Sequence, residues 1–406
     1  MAFREGAYGK LNHQLKTKMK KLLILIILLC SIDLGHVYAQ NVTVGAARIS
    51  SYLPLLKGHK VGLFSNKSGR VNGKLTLDLL LENKVNVIAI FSPEHGFRGN
   101  ADAGEHVSSS IDAKTGVPIY SLYNGNNGAP DDKIMQKIDL LIVDIQDVGL
   151  RFYTYYISMV KMMNACAIHN IRMIILDRPN PNGFYVDGPI LNMKYKSGVG
   201  YLPIPIVHGM TLGELALMVN GEHWLPDHRK CPLTVVKCLN YTHRTKYRLP
   251  IAPSPNLPNM KSIYLYPSLC YFEATPMSVG RGTTLPFQVY GHPAMKGYSY
   301  SFTPASRPGA KNPPLLGKRC YGKNLSSMNE ATIYKKGIDL SYLIDAYKNM
   351  KMKDKFFTSF FEKLIGVDYV RPMIEEGKSA QQIQAKWQDD VKKFKHQRKP
   401  YLLYKE

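Results

Sequence analysis

Several signatures that would fix a function quickly are missing from this chain. No GxGxxG turn follows a strand-like run, no GxxxxGK[ST] loop occurs, and there is no GxSxG elbow. Those absences remove dinucleotide binding, P-loop nucleotide chemistry and an α/β-hydrolase type of ester cleavage. No CxxC or HxxxH spacing is present either, so no structural zinc site, and no metal or organic cofactor, is expected. Cysteine is sparse and uneven. Of six, Cys30 lies in the leading segment, and the remaining Cys166, Cys231, Cys238, Cys270 and Cys320 are odd in number. That argues against a disulfide framework, although spacing allows a Cys231–Cys238 bridge. Long apolar runs are also lacking. The run Leu22 to Leu29 is too short to favour a retained membrane helix.

Acidic residues are scarce: 30 stand against 53 basic ones, for a net charge of +23. Lys16, Lys18, Lys20 and Lys21 precede the Leu22 run, and Val37-Tyr38-Ala39 supplies small residues for cleavage. Residues 1–39 therefore read as a secretory signal, with Met19 a more usual start than Met1. An exported protein, periplasmic or secreted, seldom meets nucleic acid. Its basic surface suits anionic cell-envelope polymers, and a solvated basic face is the plain alternative for 348–405.

The 406 residues suffice for two or three domains. From Gly58 onward, strand-like and helix-like segments alternate. Strands are predicted at Lys60–Phe64, Val85–Ser92, Gly116–Leu122, Ile138–Ile145, Ile171–Leu176 and Leu233–Cys238. Helices are predicted over 75–82, over 155–168, and after Thr211, where Glu214 completes a capping box. The alternation predicts an α/β fold, a Rossmann-like and mostly parallel sheet with helices on both faces, over 40–250. Ser65-Asn66, Glu94-His95, Asp144-Gln146-Asp147 and Asp177-Arg178 all lie just past strand ends. Right-handed crossovers bring such groups to one sheet edge, where carboxylates, amides and a guanidinium suit a polar ligand such as a sugar.

Beyond Pro250 proline punctuates a loop-rich stretch that holds Glu273 and the sequence Gly280-Arg281-Gly282. The paired glycines present Arg281 on an exposed turn. Helical spacing returns at 338–350, 355–365 and 380–393, the last centred on Trp387. Residues 251–406 are expected to form a smaller α+β domain.

The motif Phe91-Ser92-Pro93-Glu94-His95-Gly96-Phe97-Arg98-Gly99 resembles the signature of the bacterial exo-acting β-N-acetylmuramidases, formerly a family of unknown function. The likeness continues through Asp144–Gly149 with Arg151–Tyr155, Leu176–Pro181, Pro253–Asn256, Gly280–Thr283 and Arg398–Tyr404. It implies a Rossmann-like domain and a smaller C-terminal domain with the active site between them. The implied substrates are peptidoglycan fragments, MurNAc-GlcNAc disaccharides and longer, from whose non-reducing ends N-acetylmuramic acid is released. Two departures stand out: Ala274-Thr275-Pro276 replaces a frequent Gly-Thr-Asn, and Val279 replaces an acidic residue.

Glycoside hydrolysis needs an acid for the leaving oxygen and a second group across the sugar. Glu94 is the expected acid, with His95 orienting it or passing a proton. For the second group Asp144, Asp147, Glu273 and Glu105 stay open. So does a substrate-assisted route in which Asp144 polarises the acetamido nitrogen. Arg281, Arg178 and Arg151 are candidates to read the lactyl carboxylate, Arg281 first. For Arg151 and Arg178 an internal pairing with Asp144 or Asp177 competes. Arg98 and Gln146 complete the expected polar lining. Tyr153 suits stacking on a sugar or plain core packing, and Asn66 and Asn256 suit hydroxyl contacts or turns. A fragment-binding protein without turnover is the alternative reading.

Overall fold

β-Branched and apolar residues over the predicted strands offer side chains to two covered faces, which is what a buried parallel sheet requires. The protein is seen here as a computed structural model that describes residues 42–93, 97, 109–122 and 128–406. The expected signal segment, Glu94, His95, Arg98 and Glu105 lie outside the described residues. Among the described residues the main sheet comprises β1 (Lys60–Ser65), β2 (Asn86–Ser92), β3 (Ser110–Ile111), β4 (Pro118–Ser121), β5 (Leu140–Asp144), β6 (Arg172–Leu176) and β7 (Leu233–Val236). Their order is β3-β4-β2-β1-β5-β6-β7. Every pairing is parallel except β3 with β4 at the edge.

Both faces are covered. Phe64, Phe91, Leu141, Val143 and Ile175 pack in one core with Val160 and Met163 of α2 (Tyr155–Ile168) and Leu215 and Met218 of α3 (Leu212–Gly221). Leu63, Ile90, Leu140, Ile142 and Ile174 pack in the other with Leu77 and Leu80 of α1 (Thr76–Glu82). The period-2 alternation on β5 assigns Leu141 and Val143 to the first core, Leu140 and Ile142 to the second. The capping box at Thr211 and Glu214 is present and starts α3.

Register makes the carboxyl ends flush. Ser65 pairs with Asp144, Phe64 with Phe91, Ser92 with Ser121, and Val143 with Ile175. The residues just past these strands therefore form one row. The chain leaves β1 toward β2 and β4, then returns to β5 on the other side of β1. That reversal places the topological switch point, where ligands bind in open α/β sheets, between the ends of β1 and β5.

The second half adds α4 (Met260–Leu269) and a three-stranded antiparallel sheet of β8 (Val289–His292), β9 (Tyr300–Phe302) and β10 (Cys320–Asn324), ordered β8-β10-β9. Helices α5 (Ser341–Met350), α6 (Phe360–Ile365), α7 (Ala380–Lys386) and α8 (Gln388–Arg398) follow. The helix expected over 380–393 breaks in two at Trp387, which is fully buried and donates its indole N–H to Asp187 Oδ1 at 2.8 Å. The Cys231–Cys238 bridge that spacing allowed is not formed. All five described cysteines are free, and Cys238 Sγ donates instead to the Asp177 carbonyl at 3.1 Å. Residues 43–406 form one compact unit.

Candidate active site

The loop after β1 is built by an Asx turn. Asn66 Oδ1 accepts from the Ser68 amide at 2.9 Å and from its hydroxyl at 2.6 Å, while Nδ2 donates to the Tyr155 hydroxyl at 2.9 Å. Across the switch point, the Gln146 amide donates to Ser68 Oγ at 3.0 Å, and Gln146 Nε2 donates to the carbonyls of Asp147 and Pro179, both at 2.8 Å. The loops after β1, β5 and β6 are thus one hydrogen-bonded unit. Lys67 points out of this unit half-buried, and desolvation lowers its ammonium pKa.

Asp144 is fully buried. Its Oδ1 accepts from Arg178 Nε at 2.6 Å and its Oδ2 from Arg178 Nη2 at 3.0 Å, with Thr76 Oγ1 also donating to Oδ2. Arg178 Nη2 donates as well to the Arg70 carbonyl at 2.9 Å. This forked pair satisfies two buried charges against each other. Of the two arrangements open for Arg178, it makes the internal pairing with Asp144, and neither the carboxylate nor the guanidinium faces solvent.

Asp147 differs. Oδ1 accepts from the Gly149 amide at 2.7 Å, but Oδ2 is buried without a partner. Burial pushes its pKa up to about 7, against the opposing pull of the Gly149, Val148 and Tyr156 amides. Tyr153 and Tyr155 both donate to the Pro253 carbonyl, at 3.1 and 3.2 Å, with ring centroids 4.7 Å apart. Asn66, the two tyrosines and Pro253 therefore tie the sheet edge to the second half.

Arg151 is fully buried, and among the described residues it pairs with no carboxylate. Nη1 donates to the Pro189 and Ile204 carbonyls at 2.8 and 2.9 Å, and Nη2 to Leu364 and Ile365 at 3.1 and 2.7 Å. It clamps the end of α6 to the first half. Asn256 is likewise interior: Nδ2 donates to the Gly309 carbonyl at 2.9 Å.

Glu273 and Arg281 meet each other. Arg281 Nε donates to Glu273 Oε1 at 2.7 Å, both side chains partly exposed. Gly280 and Gly282 each hold φ +78°, and a Cβ on either would come within 2.7 Å of a backbone carbonyl, so the turn requires glycine. The Arg281 guanidinium lies 5.0 Å from the Phe287 ring centroid, Phe287 packs on Tyr266 at 4.6 Å, and Tyr266 packs on Phe152 at 5.0 Å. One aromatic bridge thus joins this ion pair to the Phe152-Tyr153 segment beside the switch point. Among the described residues no cluster of three or more His, Cys, Asp or Glu is placed to hold a metal ion.

Residues 61–261 match the family described as Exo-beta-N-acetylmuramidase NamZ, N-terminal, and residues 264–404 match its C-terminal counterpart. The chain belongs to the NamZ exo-β-N-acetylmuramidase family. It is therefore a glycosidase. A relative from Bacillus subtilis (strain 168), the peptidoglycan beta-N-acetylmuramidase NamZ, is 38% identical over 378 residues, covering 88% of this chain and 89% of the relative. Two crystal structures of DUF1343 family proteins from Bacteroides fragilis share the fold. One has a TM-score of 0.86 at 65% identity, covering 90% of this chain and all of that one. The second has a TM-score of 0.75 at 28% identity, covering 90% and 99%.

Within the NamZ fold, then, the structure separates the expected residues into two groups. Asn66, Asp144, Gln146, Arg151, Arg178 and Asn256 are buried framework. Glu273 and Arg281 keep exposure at a neighbouring turn. Sequence reasoning overlooked Thr76, Ser68 and Lys67. The Asn-x-Ser spacing at 66–68 signalled the turn, whereas nothing local marks Thr76 as a partner for Asp144.

Proposed function

We propose that the protein releases N-acetylmuramic acid from the non-reducing ends of peptidoglycan fragments, with Glu94 as general acid. The observation that carries this reading is the flush sheet edge. Pro93 follows β2 directly, β2 lies beside β1, and Glu94 is the next residue past that edge. The framework around Asp144, Gln146 and Tyr155 fixes the neighbouring loops, which is the preorganisation that glycoside hydrolysis draws on. His95 and Arg98 belong to the same loop and are assigned to orienting the acid and binding the substrate. Glu273 is the partly exposed carboxylate left for the far side of the sugar, while an acetamido-assisted route needs no protein nucleophile. For the lactyl carboxylate, Arg281 and Lys67 are partly exposed cations among the described residues, and Arg98 belongs to the loop of the acid. The secretory signal expected over residues 1–39 supports action at the cell envelope, in cell-wall turnover.

The test compares chromogenic β-glycosides of N-acetylmuramic acid and N-acetylglucosamine, with wild type and Glu94→Gln. Release from the muramic substrate alone, lost in the variant by about 1,000-fold or more in kcat, is expected when the acid is removed. Wild-type protein that binds muramic fragments yet cleaves neither glycoside would mean a binding protein on this fold.

A further inference from the structure

Past β6 the chain turns through Asn180 to Gly183 and lines a pocket of about 230 Å³. Four of its side chains, His243, Arg244, Lys246 and Arg398, are basic or ionise as cations, against one carboxylate, Glu406. Two of the four are already held. His243 Nε2 lies 3.0 Å from Glu214 Oε1 and Nδ1 3.0 Å from the Gly183 carbonyl. Arg398 is buried, donates to the Gly209 carbonyl and pairs with Glu406. Arg244 and Lys246 are exposed and have no carboxylate partner among the described residues. The Lys246 ammonium sits 3.0 Å from the Phe184 ring centroid and 5.0 Å from that of Tyr334. Although the side chain as a whole is exposed, desolvation pushes its pKa down to about 8, a cost that a bound anion reverses.

The pocket's place in the fold connects it to the reaction. Pro179 accepts from Gln146 at the switch point, and Gly183 follows four residues later, so no more than about 14 Å of extended chain separates them. We propose that this pocket is an accessory subsite for a carboxylate of the substrate, borne either by a muramic residue downstream of the scissile bond or by its stem peptide. A concave surface with two cations that have no carboxylate partner among the described residues suits an acidic sugar or peptide: Arg244 and Lys246 take the carboxylate, with Lys246 held over the Phe184 and Tyr334 rings. This inference rests on the function proposed above and names how a longer fragment is held.

The experiment measures kcat/KM for three substrates: a MurNAc-GlcNAc disaccharide, the peptide-free tetrasaccharide, and the tetrasaccharide with stem peptides. Wild type is compared with an Arg244→Gln/Lys246→Gln double variant, whose exposed positions leave the core untouched. The ratio of tetrasaccharide to disaccharide kcat/KM is expected to fall about fivefold, the scale of two partly exposed ionic contacts. A fall confined to the peptide-bearing substrate assigns the carboxylate to the peptide. Unchanged ratios for both long substrates, with wild type active, overturn the subsite alone. Wild type inactive on all three overturns the parent reading and the subsite with it.

Discussion

Replacing Asp144 by asparagine separates a framework role from a catalytic one. The side chain keeps its shape but loses its charge, and Arg178 is left buried with one carbonyl-type acceptor where it had a carboxylate. Both partners are almost fully buried, at 5% and 0% side-chain exposure. Breaking such a pair on one side costs about 3–5 kcal/mol, because the remaining charge is uncompensated. Removing both, as Asp144→Leu/Arg178→Met, should recover much of that loss, since apolar side chains of similar volume replace buried pairs at little cost. Urea unfolding of wild type, Asp144→Leu, Arg178→Met and the double variant gives the coupling energy directly. The expected result is a coupling of about 2 kcal/mol or more. The folded fraction of Asp144→Asn, assayed at low temperature, should turn over within about tenfold of wild type, since no transition-state contact is removed. An Asp144→Asn protein with an unchanged urea midpoint and a kcat lost by orders of magnitude would refute the framework assignment and return Asp144 to the sugar.

Other outcomes follow from the same geometry. Arg151→Lys replaces a fork that reaches four carbonyls with a single point donor. It should lower stability by about 2 kcal/mol, read as a shift in urea midpoint, and a stability equal to wild type would dissolve the clamp. Asp147 carries a folded pKa of about 7 against an ordinary 3.8, so its contribution to stability is present below pH 4 and disappears as the pH rises through 7. Each titrating group contributes at most about 1.4 kcal/mol per pH unit to that slope. The slope of unfolding free energy between pH 4.5 and 7.5 should therefore be less negative in Asp147→Asn than in wild type, and identical slopes would count against a buried, protonated Asp147. Lys67→Met should raise KM for the muramic glycoside about tenfold with little change in kcat, as removal of one charge-assisted contact does. An unchanged KM would assign the lactyl carboxylate elsewhere.

Much of the first half was legible because parallel strands announce themselves. The run Leu140-Leu141-Ile142-Val143 admits no amphipathic alternative. The antiparallel sheet of the second half was hidden by its content: β10 reads Cys-Tyr-Gly-Lys-Asn, with no apolar alternation and a central glycine. The break at Trp387 was hidden for a related reason, since its cause is Asp187, 200 residues earlier. The candidate site was legible as a row of residues but not as roles. Asp144 and Arg178 stand at strand ends as catalytic groups do; an internal pairing was one open alternative in the sequence, and their mutual geometry shows it formed. Sequence spacing reports which edge a residue occupies; it does not report whether the side chain turns toward solvent or back beneath the loop.

The contacts that close this molecule are long in sequence, and that sets how it reaches its fold. Tyr404 donates to Asp177 across 227 residues, Arg151 reaches Ile365 across 214, and Trp387 reaches Asp187 across 200. Asp177 finds Thr211 and Gly213, and Arg151 the Pro189 and Ile204 carbonyls, within the first half, but Tyr404 and the Leu364 and Ile365 carbonyls come only with the last part of the chain. Loop-closure entropy must be met before these contacts return anything. Contacts of this separation are expected to slow folding, and a first half alone leaves part of its buried hydrogen-bonding capacity unmet. Loss of residues 365–404 therefore takes hydrogen-bond partners from the interior of the first half and does not merely shorten a separable tail.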